Sequence, residues 1–293
     1  MATKIKDGST VTANNIITLW RSFRAVTYRE IVMRVSFVEW PDGLRPGRSE
    51  WARIAKQVVD ASPDVLITNE LPFGPWIASD SVFDHDTAAA SLTVHEHGIA
   101  ALFELGLPAV LSSRPVWEGN RLANEAIILE DGAVRGVHRK QLFPDEPGWY
   151  ETSWYGTSSN EFETASMAGL STGVLLCTEA MFTEHARGYG LSGAILIAVP
   201  RATGVSTRPW HIAGAMAALS SGSYVVSSNR TGQAGSRSPR FGGSGFAYAP
   251  GGELIGITSP TNPLVTFNLD PEKSRSARLD FPCYVEELNR RQA

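Results

Sequence analysis

The sequence predicts an α/β protein with a layered sheet, and two observations point to this fold class. Short apolar runs typical of buried strands alternate along the chain with segments whose apolar residues recur at helical spacing. Turn signals at Asp131-Gly132 and at paired glycines within 242–257 lie inside further apolar stretches and predict two β-hairpins. The protein is therefore expected to combine strand–helix units with antiparallel strand pairs.

The first half of the sequence presents its elements in a clear order. Residues 1–30 show no period and are predicted to be an extension without a catalytic role. Residues 33–38 alternate like a strand, and residues 50–61 have helical spacing before a Ser-Pro break. The elements expected next are a buried strand at 64–70, a helix at 84–106, a strand at 109–112 and a hairpin over 124–138.

The second half is organised around an apolar run, residues 173–176, that ends on Cys177. Residues 179–189 then carry helix formers with acids in the first turn, which predicts a strand, a tight turn and a helix. The elements expected after them are a strand at 194–200, a helix at 210–220, a strand at 224–229, a hairpin over 242–257 and a closing strand at 264–269. We find no internal linker, so we expect one domain over residues 31–270 and a tail at 271–293.

Composition excludes several classes of partner. The chain of 293 residues is 43% hydrophobic and 19% charged, with a net charge of −4 and no sustained run of Lys or Arg. A small molecule is therefore the expected partner, rather than a nucleic acid or an anionic membrane. The two cysteines are too few for a disulfide framework, and the sequence shows neither the apolar core of a signal peptide nor a stretch of transmembrane length. We expect a cytoplasmic protein.

Three reactive side chains, Glu70, Lys140 and Cys177, each follow a predicted strand or hairpin arm. Ligands bind at this edge of open α/β sheets, so the three are candidates for one site. A cysteine at a helix N-terminus is expected to ionise readily, because the backbone N–H groups favour the thiolate. Taken alone, Cys177 is equally compatible with a small buried hydrophobe. No metal site is expected, because His95 and His97 are two residues apart and face different sides of a helix.

The sequence around these three side chains resembles the signature blocks of the nitrilase superfamily of carbon–nitrogen hydrolases. The three blocks are Asn69-Glu70-Leu71-Pro72-Phe73-Gly74, His138-Arg139-Lys140-Gln141-Leu142-Phe143 and Leu176-Cys177-Thr178-Glu179. Residues 228–232 and 241–252 are also similar to the family, and the resemblance extends over roughly residues 31–270. It implies a four-layer α-β-β-α sandwich, assembly into a homo-oligomer, and catalysis without a metal or organic cofactor.

The residue types suit a hydrolysis in two steps. A small amide would transfer its acyl group to the Cys177 thiol and release ammonia or an amine, and water would then cleave the thioester. Glu70 is the expected base, while Lys140 and the backbone N–H of Thr178 are expected to stabilise the oxyanion. The resemblance adds Glu146 as a fourth catalytic residue, in an aromatic loop, at a shorter distance from Lys140 than in the amidases of the superfamily.

Within the superfamily the sequence favours an amidase that acts on a small neutral or aromatic amide. Nitrilases typically carry a tryptophan after the thiol, where this sequence has Thr178. Arg201 is a candidate for binding a substrate carboxylate or, alternatively, a loop-bridging cation. The alternatives are a nitrilase, an N-carbamoyl-amide hydrolase, or a catalytically silent binding protein on the same fold. The candidate pocket walls are Phe73, Trp76, Trp149, Tyr150 and Phe182.

Overall fold

The computed structural model describes residues 32–157, 161–236 and 238–285. The chain divides into two units, residues 1–31 and 32–293, and the predicted extension at 1–30 lies outside the described residues. The strands are β1 (Met33–Val38), β2 (Val65–Ile67), β3 (Ala109–Glu118), β4 (Arg121–Glu130), β5 (Ala133–Arg139), β6 (Asp145–Glu146), β7 (Trp149–Tyr150), β8 (Ala165–Met167), β9 (Leu170–Val174), β10 (Leu196–Arg201), β11 (Tyr224–Asn229), β12 (Thr231–Gly232), β13 (Phe241–Gly242), β14 (Phe246–Tyr248), β15 (Leu254–Ile257) and β16 (Leu264–Leu269). The α-helices are α1 (Ser49–Ala61), α2 (His85–Phe103), α3 (Glu151–Trp154), α4 (Thr183–Leu191), α5 (Arg208–Ser221) and α6 (Pro271–Ala277).

Most of these strands belong to two six-stranded mixed sheets. The first sheet has the order β16-β1-β2-β3-β4-β5, in which β1, β2 and β3 are parallel and the other pairs are antiparallel. The second has the order β15-β14-β11-β10-β9-β8, with β9, β10 and β11 parallel at its centre. The short pairs β6–β7 and β12–β13 form separate two-stranded sheets.

The two sheets pack face to face through a shared apolar core. Phe37 and Ile67 from the first sheet and Val174 and Val226 from the second belong to this buried cluster. A second cluster joins the outer face of the first sheet to α1 and α2, and a third joins the outer face of the second sheet to α4 and α5. Parallel strands need cover on both faces, and this arrangement supplies it. The structure confirms the predicted four-layer α-β-β-α sandwich.

The main differences from the predicted elements lie in the loops. β2 ends at Ile67, so Glu70 stands in a loop rather than at the last position of a strand. β3 extends to Glu118 because it forms a long hairpin with β4. The loop expected after Lys140 contains the β6–β7 pair and the short helix α3. The tail begins with α6, and no helix in the part of the chain that the structure describes is long and apolar enough to cross a membrane.

Hydrogen bonds join the strand ends of the two sheets. The Ser228 hydroxyl, at the end of β11, donates to the carbonyl of Ile67 at 2.7 Å and accepts from the N–H of Val38 at 2.9 Å. The N–H of Glu70 donates to the carbonyl of Arg201 at 3.2 Å, which links the loop after β2 to the end of β10. Loops that follow strands of different sheets are thereby held against each other.

The crossing of α4 and α5 depends on the absence of a side chain at Gly190. A Cβ atom there would press against the backbone of Ser221, which cannot move without separating the helices. We predict that Gly190→Ala lowers the free energy of unfolding by about 1–3 kcal/mol, the usual cost of overpacking. Gly188→Ala is the control, because a Cβ atom at Gly188 meets nothing within 4 Å and alanine favours a helix. Denaturant unfolding of both variants provides the measurement, and equal stabilities would contradict the prediction.

Candidate active site

The centre of the site is the ammonium group of Lys140, held between two carboxylates. Lys140 Nζ lies 2.8 Å from Glu70 Oε1 and 2.7 Å from Glu151 Oε2. All three side chains are fully shielded from solvent. An ammonium has three donors, and these contacts use two of them, so one N–H remains available for a ligand.

The long β4–β5 hairpin places Lys140 in this position. The N–H of Lys140, directly after β5, donates to the carbonyl of Asn124 in β4 at 2.9 Å. The Asn124 side-chain amide then donates to Glu70 Oε1 at 2.8 Å. One residue of β4, Asn124, therefore contacts both Glu70 and Lys140. Asn124 was not among the residues predicted for the site.

Burial and charge shift the pKa values of this cluster in different directions. Burial alone lowers the pKa of Lys140, but the charges of Glu151 and Glu70 outweigh it and hold that pKa well above its ordinary value. Burial raises the pKa of Glu151 to about 7, against the attraction of Lys140. Lys140 is therefore cationic at neutral pH, while Glu151 titrates close to it.

Cys177 lies on a sharp turn three residues after the end of β9. Its backbone adopts φ +52°, in the left-handed region that non-glycine residues seldom occupy. A 3₁₀ helix, Cys177–Met181, begins at this residue, and α4 follows at Thr183. Strained backbone of this kind persists only where surrounding contacts hold it in place, and it clusters at functional sites.

Those contacts come from the buried carboxylate of Glu179. Glu179 Oε2 accepts from the N–H of Leu176 at 2.7 Å and lies 2.8 Å from Nε2 of His138. Glu179 Oε1 accepts from the N–H of Gln141 at 2.7 Å. His138 and Gln141 flank Lys140 in the sequence, so Glu179 ties the turn of the thiol to the segment of the cation. The sequence motifs identify Cys177 and Lys140 but do not indicate this link.

The thiol of Cys177 is neutral in the resting protein. Burial raises its pKa, the charge of Glu70 raises it further, and the charge of Lys140 only partly opposes this. The sequence-based expectation of a readily ionised thiol at a helix N-terminus is therefore wrong. The helix expected from 179 begins instead as a 3₁₀ turn, and the thiol is only 3% exposed. Reaction then requires a base to remove the thiol proton.

A cavity of about 400 Å³ opens onto Cys177. Thr178, Trp149 and Glu146 line it, together with Trp210 and Arg240. Thr178 stands in the first turn of the 3₁₀ helix, where backbone N–H groups have no partner within the helix. The cavity thus presents a thiol, a backbone donor and aromatic walls to a small ligand.

Four of the predicted pocket walls lie elsewhere, which corrects the prediction. Phe73 is buried in the core between the first sheet and its helices, 5.6 Å from the ring of Trp51. Trp76 and Tyr150 line a different cavity of about 760 Å³. Phe182 is on the surface and is 40% exposed. Aromatic residues close to a motif in the sequence were expected to line the pocket. The direction of each side chain depends instead on how its segment packs.

The Arg201 side chain bonds to neighbouring segments and does not line the cavity. Its side chain is fully buried and lies over the rings of Trp210 and Phe246, with Cζ 5.3 Å and 4.8 Å from their centroids. It donates to the Ser227 hydroxyl at 2.6 Å and to the Ser244 carbonyl at 2.9 Å. The loop-bridging alternative therefore describes Arg201, and a substrate-carboxylate role is not supported.

The acid beside Lys140 is Glu151 and not Glu146. Glu146, in β6, is exposed at the cavity mouth, whereas Glu151 begins α3 and is buried. The β6–β7 pair reverses the backbone between them, so the later acid turns inward. In the sequence, Glu146 lies closer to Lys140 than the corresponding acid does in the amidases of the superfamily. This short spacing could have pointed to Glu151, the next acid along the chain.

The sequence also matches the model of a known protein family. The carbon-nitrogen hydrolase family model matches residues 44–279. The chain belongs to the carbon–nitrogen hydrolase family. The match extends beyond residue 270, where the sequence alone placed the start of the tail.

Curated relatives match this hydrolase over part of its length. A citrullinase from Francisella tularensis is 28% identical over 164 residues, which cover 52% of this chain and 56% of the relative. An N-carbamoylputrescine amidase from Solanum tuberosum is 29% identical over 167 residues, which cover 51% of this chain and 56% of the relative. The chain thus spans about half the length of the curated relatives that it matches.

Solved structures of the superfamily share the fold of this hydrolase. A carbon-nitrogen hydrolase from Helicobacter pylori superposes with a TM-score of 0.77 at 19% identity, over 88% of this chain and 96% of its own. A mutant Nesterenkonia amidase, which carries the acetamide moiety of fluoroacetamide on its active-site cysteine, superposes with a TM-score of 0.70 at 18% identity, over 90% and 97% of the two. Within the described residues, no group of three or more His, Cys, Asp or Glu side chains is placed to hold a metal ion.

The raised pKa of Glu151 predicts a pH-dependent stability. The folded hydrolase holds the Glu151 proton up to pH about 7, whereas the unfolded protein releases it near the ordinary value of 4.5. Between these two pH values the folded state binds more protons than the unfolded state. The contribution of Glu151 to the free energy of unfolding is therefore fully present below pH 4.5 and is lost as pH rises toward 7. The slope is at most about 1.4 kcal/mol per pH unit.

We expect Glu151→Gln to remove this slope, since glutamine carries no titrating proton. The measurement is the difference in unfolding free energy between wild type and variant from pH 4.5 to pH 7, which should fall with rising pH. Glu146→Gln, at an exposed carboxylate of the same loop, is the matched control. Parallel curves for wild type and Glu151→Gln would contradict the prediction.

Proposed function

We propose that this hydrolase cleaves the carbon–nitrogen bond of a small amide through a thioester on Cys177. The observation that carries the proposal is the buried Lys140 ammonium between Glu70 and Glu151, beside a cavity onto which Cys177 opens. An amide carbon is a poor electrophile, so acyl transfer to sulfur followed by hydrolysis divides one difficult step into two easier ones.

In the first step, Cys177 Sγ attacks the amide carbon and its proton moves to Glu70. Glu70 Oε2 has no hydrogen-bond partner among the described residues, so this oxygen is free to accept the proton. The tetrahedral intermediate carries an oxyanion, which the third N–H of Lys140 and the backbone N–H of Thr178 stabilise. Loss of one such donor typically costs about 3–4 kcal/mol. The C–N bond then breaks, and Glu70 returns the proton to the departing amine.

In the second step, water replaces the amine. Glu70 accepts a proton from the water as it attacks the thioester carbon, and the proton returns to sulfur when the C–S bond breaks. Glu151 holds Lys140 in position throughout. Its pKa of about 7 means that the carboxyl is partly protonated at neutral pH. When it is protonated, the charges of Lys140 and Glu70 cancel. The products are a carboxylic acid and ammonia or an amine.

A second candidate reaction is N-carbamoyl-amide hydrolysis, and the relatives favour it. Two of them carry the names citrullinase and N-carbamoylputrescine amidase, at 28% and 29% identity. A ureido carbon is attacked in the same way by the same thiol. Nitrile hydrolysis has weaker support, because one relative named nitrilase matches over 145 residues and Thr178 follows the thiol.

The decisive test is ammonia release from a panel of small amides, N-carbamoyl compounds and nitriles. We predict that one class turns over, that a transient acyl adduct appears on Cys177 by intact-mass measurement, and that Cys177→Ala lowers turnover about a thousandfold or more. Cys283→Ala is the control, since this second free cysteine does not line the cavity. Full activity in Cys177→Ala, or no turnover of any class by the wild type, would refute the proposal.

We also propose that the hydrolase forms a homo-oligomer through the outer face of α4 and α5. Ile212 and Met216, one turn apart on α5, are 59% and 47% exposed, and Phe182 is exposed just before α4. An apolar face of this kind is typical of an interface, and a second copy presents the same face.

Substitution of this face should dissociate the oligomer. We expect Ile212→Asp combined with Met216→Asp to lower the mass measured by light scattering to that of a single protomer. Val59→Asp, on an apolar residue of α1 that is 49% exposed, should leave the mass unchanged. A wild-type protein that is monomeric at micromolar concentration would contradict the proposal.

A cytoplasmic location is part of this proposal, because the mechanism needs Cys177 as a free thiol and reducing compartments maintain free thiols. Fractionation of expressing cells tests this, and recovery in an oxidising compartment would contradict it.

A further inference from the structure

Two opposite charges stand at the mouth of the cavity above Cys177. Glu146 and Arg240 both line this cavity, and both side chains are exposed. The walls between them and the thiol are largely apolar, with Trp149, Trp210 and Val205 among the lining residues. A ligand that reaches the thiol therefore passes a carboxylate and a guanidinium at the entrance.

The segments that carry these charges are in contact with each other. Glu146 is the cross-strand partner of Trp149 in the β6–β7 pair. The ring of Trp149 packs edge-on against Phe241, the residue after Arg240, with 6.2 Å between centroids. Since the two segments pack together, their charges lie at the same part of the mouth.

Neither charge has an ion-pair partner within the described part of the chain. Among the residues that the structure describes, no ion pair within 4.0 Å and no side-chain hydrogen bond involves Glu146 or Arg240. Other charges near the site are paired: Arg230 holds Asp42, and Glu125 holds both Arg114 and Arg139. A carboxylate and a guanidinium on neighbouring segments, without ion-pair partners among the described residues, can each bind an opposite charge of a ligand.

We propose that the substrate is a zwitterionic α-amino acid whose side chain ends in the reacting C–N group. Its ammonium would bind Glu146, its carboxylate would bind Arg240, and the side chain would lie along the apolar walls with its terminal carbonyl at Cys177. An α-amino acid carries both charges on one carbon, which matches two charges at one part of the mouth. The cavity of about 400 Å³ accommodates a molecule of this size.

This inference rests on the proposed function and changes one expectation, that of a neutral or aromatic amide. The covalent chemistry is unaltered: the thiol forms the C–S bond, the terminal C–N bond of the substrate breaks, ammonia leaves with the proton relayed by Glu70, and water restores the thiol. The charged head group takes no part in bond making. It only determines which amides are held in place.

Four primary amides that differ only in charge test the inference. Glutamine carries both charges, glutaramic acid lacks the ammonium, 4-aminobutanamide lacks the carboxylate, and butanamide lacks both. We expect kcat/KM to be highest for glutamine and to fall about tenfold with each charge removed, as expected for loss of a charged contact. Asparagine and citrulline extend the series to other side-chain lengths and to a ureido group.

Single substitutions identify which residue binds which charge of the substrate. Glu146→Gln should lower the ratio of kcat/KM for glutamine to that for glutaramic acid about tenfold, and Arg240→Gln should lower the ratio for glutamine to that for 4-aminobutanamide by a similar factor. Glu104→Gln and Arg48→Gln, at exposed charges that do not line the cavity, should change neither ratio.

The outcomes separate this inference from the proposed function. If butanamide is hydrolysed as well as every amino acid tested, or if Glu146→Gln lowers all four amides equally, the zwitterion inference is overturned while the thioester mechanism stands. If no compound is turned over and Cys177 is not acylated, the proposed function itself fails.

Discussion

The structure depends on one buried cation between two buried carboxylates. A single charge cannot be removed from water at an acceptable cost, so Lys140, Glu70 and Glu151 are stable inside the protein only together. Breaking such a cluster by removing one member typically costs about 3–5 kcal/mol. The cluster therefore constrains the loop after β2, the end of the β4–β5 hairpin and the start of α3 to meet at one point, and the proposed mechanism uses this geometry.

Cys177, the proposed nucleophile, is held near the same point by another buried carboxylate. Glu179 accepts hydrogen bonds from the backbone on both sides of the site, at Leu176 and at Gln141. These bonds offset the strain of the left-handed backbone at Cys177 and fix its position relative to Lys140. Because the thiol is buried, with a pKa raised by that burial, the proposed mechanism needs Glu70 to remove its proton.

Local sequence patterns were sufficient to predict the order of the elements and part of the candidate site. Helical and strand periods, Asp131-Gly132 and the Pro and Gly breaks depend on neighbouring residues only, so the order of elements was predictable from sequence. The ends of the elements were less predictable, since β3 extends well past residue 112 by pairing with β4. Glu70, Lys140 and Cys177 were identifiable because each follows a strand in a recognisable motif.

The sequence by itself determined the element order, the family resemblance and these three reactive residues, because all of them are properties of short segments. Only the tertiary structure decided which acid of one loop faces Lys140: the reversal at β6–β7 buries Glu151 and leaves Glu146 in solvent. It also decided that Arg201 bridges loops and that the thiol is neutral. These properties depend on burial, and burial is set by segments far apart in the sequence that meet only after folding.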